Sequence, residues 1–575
     1  MSWIFGVIAG DPSSPLLSRC SSIHSPPLHT FRAKNLYIAA GGITATCQWG
    51  QFPDSRNHGW IVVGCGIELG PNAASQLMPE RWSELLSGNN PALTNIDGHF
   101  LAVTWDDSTV RCFNDLFGLR TLYVTQIEDS VAFSTRLDWI AKTKKGLEVD
   151  FESFGPHWLT YNQLSHDSLV KGVSRLAPCS SATLTADSIS IRSDPWTPDL
   201  STRDPEEMIT VLTKLLRFKS NENLALSMGL SGGLDSRVLL SVLASENIQG
   251  YQLHLFGHPD EPDVRIARRI VRDFSFKQEL LFETIPPMDE CILRATEYIA
   301  QTHLIEPVSS FIKLGGYSAL HRMGRYVIDG GMGEIARRQF LTRLRLRGVR
   351  TNGAGEPSKI YNSIRHLRAP IFSVETMMAM REGVEKQIAK VWRGTPSPGS
   401  LGEENFLDFL IVRYRFPNYG GIEQSRTDEH ALSFMPFAQP SFVRVAFGLP
   451  LRVKRNARLY RRLIRQRCPA LAKYPLVKGT AEYPFILPTI PALLWTKGQT
   501  VLGREFQDPT PAEFLLRIRD FVYDFLSSAD VKSYSPYDHR AITRIVDEFY
   551  NGKIEMASHL DWWLAFELWR RMLKG

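Results

Sequence analysis

Over residues 1–200 the apolar positions come in short runs cut by Gly, Pro, Asn and Asp. Gly59-Trp60-Ile61-Val62-Val63-Gly64 and His99-Phe100-Leu101-Ala102-Val103-Thr104-Trp105 are two such runs, and their length and bounding turn residues predict strands. The chain turns prolyl and polar at Asp194-Pro195-Trp196-Thr197-Pro198-Asp199, then takes helical spacing from Pro205 to Arg217, so a domain boundary is expected there. From Leu224 the order is strand, glycine turn, helix and a second strand at Gln252-Leu253-His254-Leu255-Phe256, which predicts a parallel α/β layer. A further strand, Tyr326-Val327-Ile328, runs into Asp329-Gly330-Gly331. Later, Val384 to Trp392, Phe406 to Tyr414, Pro511 to Leu526 and Trp562 to Leu573 carry apolar residues three and four apart and predict helices. Thr351 to Pro357 and Thr395 to Ser400 read as loops.

A chain of 575 residues, 43% hydrophobic, exceeds what one core holds, so two or more domains are expected. Its formal charge of +6, from 66 basic and 60 acidic residues, calls for neither a nucleic-acid nor a membrane partner, though it suits a phosphate-bearing substrate. Cys20, Cys47, Cys65, Cys112, Cys179, Cys291 and Cys468 form no C-x-x-C pair, which argues against a disulfide framework or a zinc site and for a reducing compartment. The start, Met1-Ser2-Trp3-Ile4-Phe5-Gly6-Val7, has no basic segment before its short apolar run, and no apolar run of about 18 residues occurs anywhere. A cytoplasmic protein is expected.

One turn carries chemistry. Ser231-Gly232-Gly233-Leu234-Asp235-Ser236 lies between a strand, Leu224 to Leu230, and a helix face, Val238 to Leu243. Paired glycines let the backbone approach an anion, the helix dipole favours negative charge, and two serine hydroxyls add donors, so the turn suits a pyrophosphate. Asp235 suits a magnesium ion bridging to nucleotide phosphates. The G-x-x-x-x-G-K-[ST] pattern is absent from this turn.

Ser231 to Ser236 resembles the SGGLDS loop of the asparagine synthetase family, whose members adenylate a carboxylate and release pyrophosphate. Asn114 to Tyr123 is similar to that family's RDPFGIRPLYY stretch, Ile96 to Phe100 to the segment before it, and Met1 to Val7 matches MCGIFGV in five of seven places. Val327 to Glu334 resembles VLSGEGAD, and Val477-Lys478-Gly479 with Phe485 resembles RPKxGF. The resemblance implies two domains. Residues 1–200 would form an α+β sandwich of the N-terminal-nucleophile hydrolase type, a degenerate glutamine amidotransferase. Residues 201–575 would form an ATP-pyrophosphatase-type α/β parallel sheet with many helices, carrying an amide ligase. It further implies ATP and Mg2+ as cofactors, Asp235 and Glu334 as metal ligands, Lys478 as the cation that stabilises the acyl-adenylate step, and Leu230, Ser231, Gly232, Gly233, Leu234, Asp235, Ser236, Phe256, Asp329 and Gly330 as the nucleotide pocket.

The departures from the family point to its substrate. Ser2 replaces the nucleophilic cysteine, Trp3 the glycine after it, and the NGEIYN segment has no counterpart near Val63 to Ile67, so the glutaminase is expected to be dead. Gly331 replaces an acid, and ExRxPFLD reads Leu432 to Gln439 with its charges lost, so free aspartate would lose its grips. The expected function is an amide ligase acting on a peptide, or another carboxylate that carries its own amine. Lasso-peptide macrolactam synthetases, with a precursor peptide and its protease as partners, fit better than β-lactam synthetases. An asparagine synthase or related amidating enzyme, and a non-catalytic ATP-binding scaffold, stay open as alternatives.

Overall fold

A computed structural model describes residues 2–52, 58–88, 91–106, 108–160, 163–281, 284–313, 316–338 and 356–575. Of the loop expected at Thr351 to Pro357, residues 351–355 lie outside them. In chain order the N-terminal strands are β1 (Trp3–Ala9), β2 (His29–Arg32), β3 (Leu36–Gly41), β4 (Cys47–Gln51), β5 (Gly59–Leu69), β6 (Ala74–Gln76), β7 (Asp97–Trp105), β8 (Val110–Asn114), β9 (Tyr123–Ile127), β10 (Ser130–Ser134), β11 (Ser174–Arg175), β12 (Ser180–Leu184) and β13 (Ile189–Ser193). They build two antiparallel sheets, ordered β11-β9-β10-β1-β3-β2 and β13-β12-β8-β7-β5-β4, with β6 added beside β5. Period-two alternation explains their packing. From β1, Ile4 and Ile8 face the other sheet and meet Ile61, Val63, Leu101 and Val103, so the sheets form a sandwich. Outside the sandwich, Trp82 of α1 (Pro79–Leu86) meets Phe100 edge-on, while Trp3 and Phe5 point away from the other sheet, edge-on to Trp139 in α2 (Leu137–Thr143). A further helix, α3 (Phe151–Leu159), starts at Asp150, whose side chain caps the amides of Glu152 and Ser153.

Past the prolyl stretch, α4 (Pro205–Leu216) opens on a capping box between Asp204 and Glu207. A five-stranded parallel sheet follows, ordered β16-β15-β14-β17-β18. Its strands are β14 (Ala225–Gly229), β15 (Gln252–Phe256), β16 (Gln278–Leu281), β17 (Arg325–Ile328) and β18 (Ser433–Phe434), and a separate hairpin joins β19 (Leu476–Lys478) to β20 (Ala481–Tyr483). The helices used below are α5 (Leu234–Ser245), α6 (Pro262–Asp273), α7 (Glu334–Arg337), α8 (Val374–Arg393), α9 (Arg458–Arg467), α10 (Thr489–Val501) and α11 (Ala557–Met572). Because the sheet is parallel, Leu230, Phe256 and Asp329 emerge at the same edge. The helix expected from Phe406 is α-helical only to Leu410 and then widens into a π-helical segment, Ile411–Gly420, around Pro417. The span from Pro511 is two helices, Thr510–Arg517 and Arg519–Ser527, broken at Ile518. Among the described residues no helix is long and apolar enough to cross a membrane.

Strand chemistry changes near Asp194, from antiparallel to parallel, yet one core crosses that boundary. Phe154 and Trp158 of α3 pack on Phe372, and Phe154 also meets Phe566 and Trp569 of α11. Helices α3 and α8 touch backbone to backbone: a Cβ on Gly155 would sit 2.2 Å from the Met380 carbonyl, and one on Gly383 1.9 Å from that of Glu152. The two halves are therefore welded by apolar area, which the aromatic face of α3 needs in order to leave water.

Candidate active site

Strand β14 ends at Gly229, and the Leu230 amide donates to the His254 carbonyl at 2.9 Å, holding the turn against β15. Gly233 is the N-cap of α5 and has no side chain to cap it, so the helix opens onto the turn with its dipole uncovered. The two serines brace the turn. Ser236 Oγ accepts from the Ser231 amide and lies against Ser231 Oγ, both at 3.1 Å, while Ser231 Oγ accepts from the Gly233 amide at 3.1 Å. Gly232 has to be glycine: a Cβ there would lie 2.6 Å from Val477 Cγ2 and 2.9 Å from Asp263 Oδ1. Its amide donates to Asp263 Oδ1 at 2.7 Å and its carbonyl accepts from the Val477 amide at 3.1 Å, tying α6 and β19 to the turn.

A cavity of ≈ 420 Å³ lies over this turn, lined by Leu230, Ser231, Gly233, Leu234, Asp235, Ser236, Phe256, Asp329 and Gly330. The parallel sheet thus brings together residues that lie up to about a hundred positions apart in sequence. Gly330 allows the close approach, since a Cβ there would be 3.2 Å from the Ser236 amide. Gly232, Glu334 and Lys478 do not line it. Lys478 follows Val477 on β19 and is half-buried. Further lining comes from His254, Asp263, Arg337 and Tyr483, which the turn's sequence pattern does not announce.

Both expected metal carboxylates carry guanidinium groups. Arg337 of α7 grips Asp235 bidentately, Nε to Oδ1 at 2.6 Å and the terminal nitrogen to Oδ2 at 2.8 Å. Arg415 Nε donates to Glu334 Oε1 at 2.7 Å. Burial pushes the Asp235 carboxyl above its usual range, Arg337 opposes this, and Glu334 and Asp329 add to it. Burial also pushes on Glu334, but Arg415 and Arg337 outweigh it and hold that carboxyl below its usual range. Desolvation raises Asp263 to about 6 and lowers His254 to about 3, so His254 is neutral at pH 7, with Nδ1 2.9 Å from Ser227 Oγ. Among the described residues no three His, Cys, Asp or Glu side chains gather into a metal site. A magnesium ion delivered by phosphates fits Asp235, which faces the cavity, once Arg337 yields that carboxylate; Glu334 is 8% exposed and turned to Arg415, and fits less well.

Ser2, which the resemblance sets in place of a nucleophilic cysteine, is fully buried and its hydroxyl accepts from Arg120 at 2.8 Å. Arg120 also donates to the Ser2 carbonyl and pairs with Asp428 at 3.2 Å. Asp428 in turn takes His99 Nε2 at 3.0 Å. The hydroxyl is thus committed to a buried charge cluster that joins the two halves of the chain.

No family model and no curated protein matches this chain. Among solved structures, it is aligned with the glutamine phosphoribosylpyrophosphate amidotransferase from B. subtilis complexed with ADP and GMP, at 13% identity and a TM-score of 0.21, covering 60% of this chain and 72% of that one. A second alignment, to the allosteric regulatory enzyme of purine biosynthesis, has 12% identity, a TM-score of 0.21 and the same coverage. At such scores a likeness carries no functional weight.

If Lys478 has the role that the resemblance implies, Lys478→Ala is expected to leave ATP affinity within about twofold while slowing single-turnover product formation by on the order of 10², since such a cation matters most where charge builds. Nucleotide titration beside rapid-quench kinetics separates the two. Equal losses in both would make Lys478 a ground-state contact only.

Proposed function

We propose that this protein is an ATP-dependent carbon–nitrogen ligase that adenylates a carboxylate with release of pyrophosphate and then joins the acyl group to an amine with release of AMP. The observation behind this reading is the convergence of Ser231, Gly233 to Ser236, Leu230, Phe256, Asp329 and Gly330 on one cavity at the carboxyl edge of a parallel sheet, where α/β folds take their ligands. ATP supplies the leaving group. The uncapped start of α5 and the glycine turn would hold its phosphates, with Arg337 at hand to balance their charge. Leu230 and Phe256 would form the apolar wall. A magnesium ion, when bound, would neutralise phosphate charge beside Asp235.

The substrate we favour is a peptide bearing both groups, closed into a macrolactam as in lasso peptides, with a precursor peptide and its protease as partners. Ser2 supports this, because a buried hydroxyl bonded to Arg120 is no accessible nucleophile, and an enzyme whose amine is already on its substrate needs no ammonia. Enclosure would make the two ends an effectively unimolecular pair. One observation favours a second reading. The guanidinium grips on Asp235 and Glu334 would also suit a scaffold that binds ATP without a metal and without turnover.

Mass spectrometry tests these readings. With ATP and magnesium, a linear peptide with a free N-terminus and an internal Asp or Glu is expected to lose one water mass, and Ser2→Ala is expected to leave that unchanged. Asparagine formed from aspartate, with glutamine or ammonia, would favour an asparagine synthase instead. ATP binding with no carboxylate turned over would favour the scaffold.

A further inference from the structure

Between Glu429 and Glu482 the chain has no acidic residue. Within that stretch α9 presents Arg458, Arg461, Arg462 and Arg465, which with Arg452 line an open cavity of ≈ 720 Å³. Other arginines nearby are neutralised: Arg467, at the far end of the same helix, bonds Glu206 and Glu246 at 3.0 and 2.8 Å, and Arg455 bonds Glu404 at 2.6 Å. Among the described residues none of the five cavity arginines pairs with a carboxylate.

Arg461 decides what the cavity is for. It is 6% exposed, and the polar neighbour of its guanidinium is the Tyr483 hydroxyl rather than a carboxylate, a costly state for a desolvated cation. Its guanidinium lies 5.2 Å over the Phe485 ring, which Arg465 shares at 5.6 Å, and that contact offsets part of the charge while leaving N–H donors for a ligand. Five N–H groups in a fixed fork match an oxyanion.

The surroundings narrow the ligand. Ile486 lines the same cavity and is 71% exposed, and from it an apolar strip continues through Ile490 and Leu494 on α10, 44% and 67% exposed. Phe485, the ring beneath the arginines, is covered by two guanidiniums and offers no face for base stacking. Tyr483, three residues before Ile486, lines the nucleotide cavity, so the arginine cavity adjoins it along the chain.

We propose that this cavity binds an acidic peptide segment, with carboxylates on Arg461, Arg462 and Arg465 and aliphatic side chains along Ile486, Ile490 and Leu494. The proposal does not rest on the ligase reading, because binding requires no nucleotide.

The test is fluorescence anisotropy of the full chain, without ATP, using a short labelled peptide of Glu and Leu and its Gln-for-Glu counterpart. The Glu peptide is expected to bind at least about tenfold more tightly, and to weaken as salt is raised. Arg461→Gln and the double variant Arg462→Gln/Arg465→Gln are each expected to remove most of that preference. The double variant changes only exposed side chains, so it reads the site even if Arg461→Gln misfolds. Equal affinity for the two peptides, an unchanged preference in the double variant, or tighter binding of a labelled single-stranded oligonucleotide would overturn the proposal.

Discussion

Asp235→Ala is expected to cut substrate-dependent pyrophosphate release by on the order of 10²–10³, the usual cost of removing a metal or charge-stabilising group at a transferring phosphate. The structure sharpens the expectation. Asp235 both faces the cavity and holds Arg337 by two bonds. Removing it would take one carboxylate off a guanidinium that lines the proposed phosphate site, so ATP affinity measured without magnesium is expected to hold or rise while turnover collapses. Isothermal titration with and without magnesium, set beside pyrophosphate release, distinguishes that outcome from simple loss of the pocket. Arg337→Gln is the companion variant: it leaves the carboxylate in place and is expected to weaken metal-free ATP binding. Wild-type pyrophosphate release from Asp235→Ala would sink both the metal assignment and the role given to the turn.

Asp428→Ala is expected to destabilise the fold by about 3–5 kcal/mol, the cost of stripping one partner from a buried ion pair. Asp428 is fully buried, and its carboxylate takes His99 at 3.0 Å, Arg120 at 3.2 Å and Gln424 at 3.2 Å. Its carbonyl accepts from Thr46 Oγ1 at 2.9 Å. The loss would leave the buried Arg120 without its direct carboxylate partner, bonded to neutral acceptors at Ser2 with Asp115 as the nearby negative charge. Denaturant unfolding measures it. Asp428→Asn, which keeps the shape and some of the hydrogen bonds, should fall between the two. A change under about 1 kcal/mol for Asp428→Ala would mean that the cluster does not weld the halves.

The turn at Ser231 to Ser236 was legible because everything that shapes it is contiguous: a strand before, two glycines and a helix after. The serines nonetheless act differently from expectation, bonding each other and the turn's own amides, because the tight bend leaves those amides within reach. Arg337 on Asp235 spans 102 residues and Arg415 on Glu334 spans 81, and no local pattern marks either pair. The wide π-helical segment at Ile411–Gly420 was equally hidden, since three- and four-residue spacing does not distinguish it from an ordinary helix.

From its sequence alone this chain is determined to be strand-rich first and parallel α/β second, with a glycine turn between β14 and α5. Those features depend on backbone sterics and apolar period, which act over a few neighbouring residues. Tertiary structure alone decided which carboxylates would be free. It set Arg337 on Asp235 and Arg415 on Glu334, buried Ser2 against Arg120, and left Arg461 desolvated beside Tyr483 with no carboxylate partner. Charge pairing depends on distance in space and on the loss of water, and both exist only once the sheets and helices have packed.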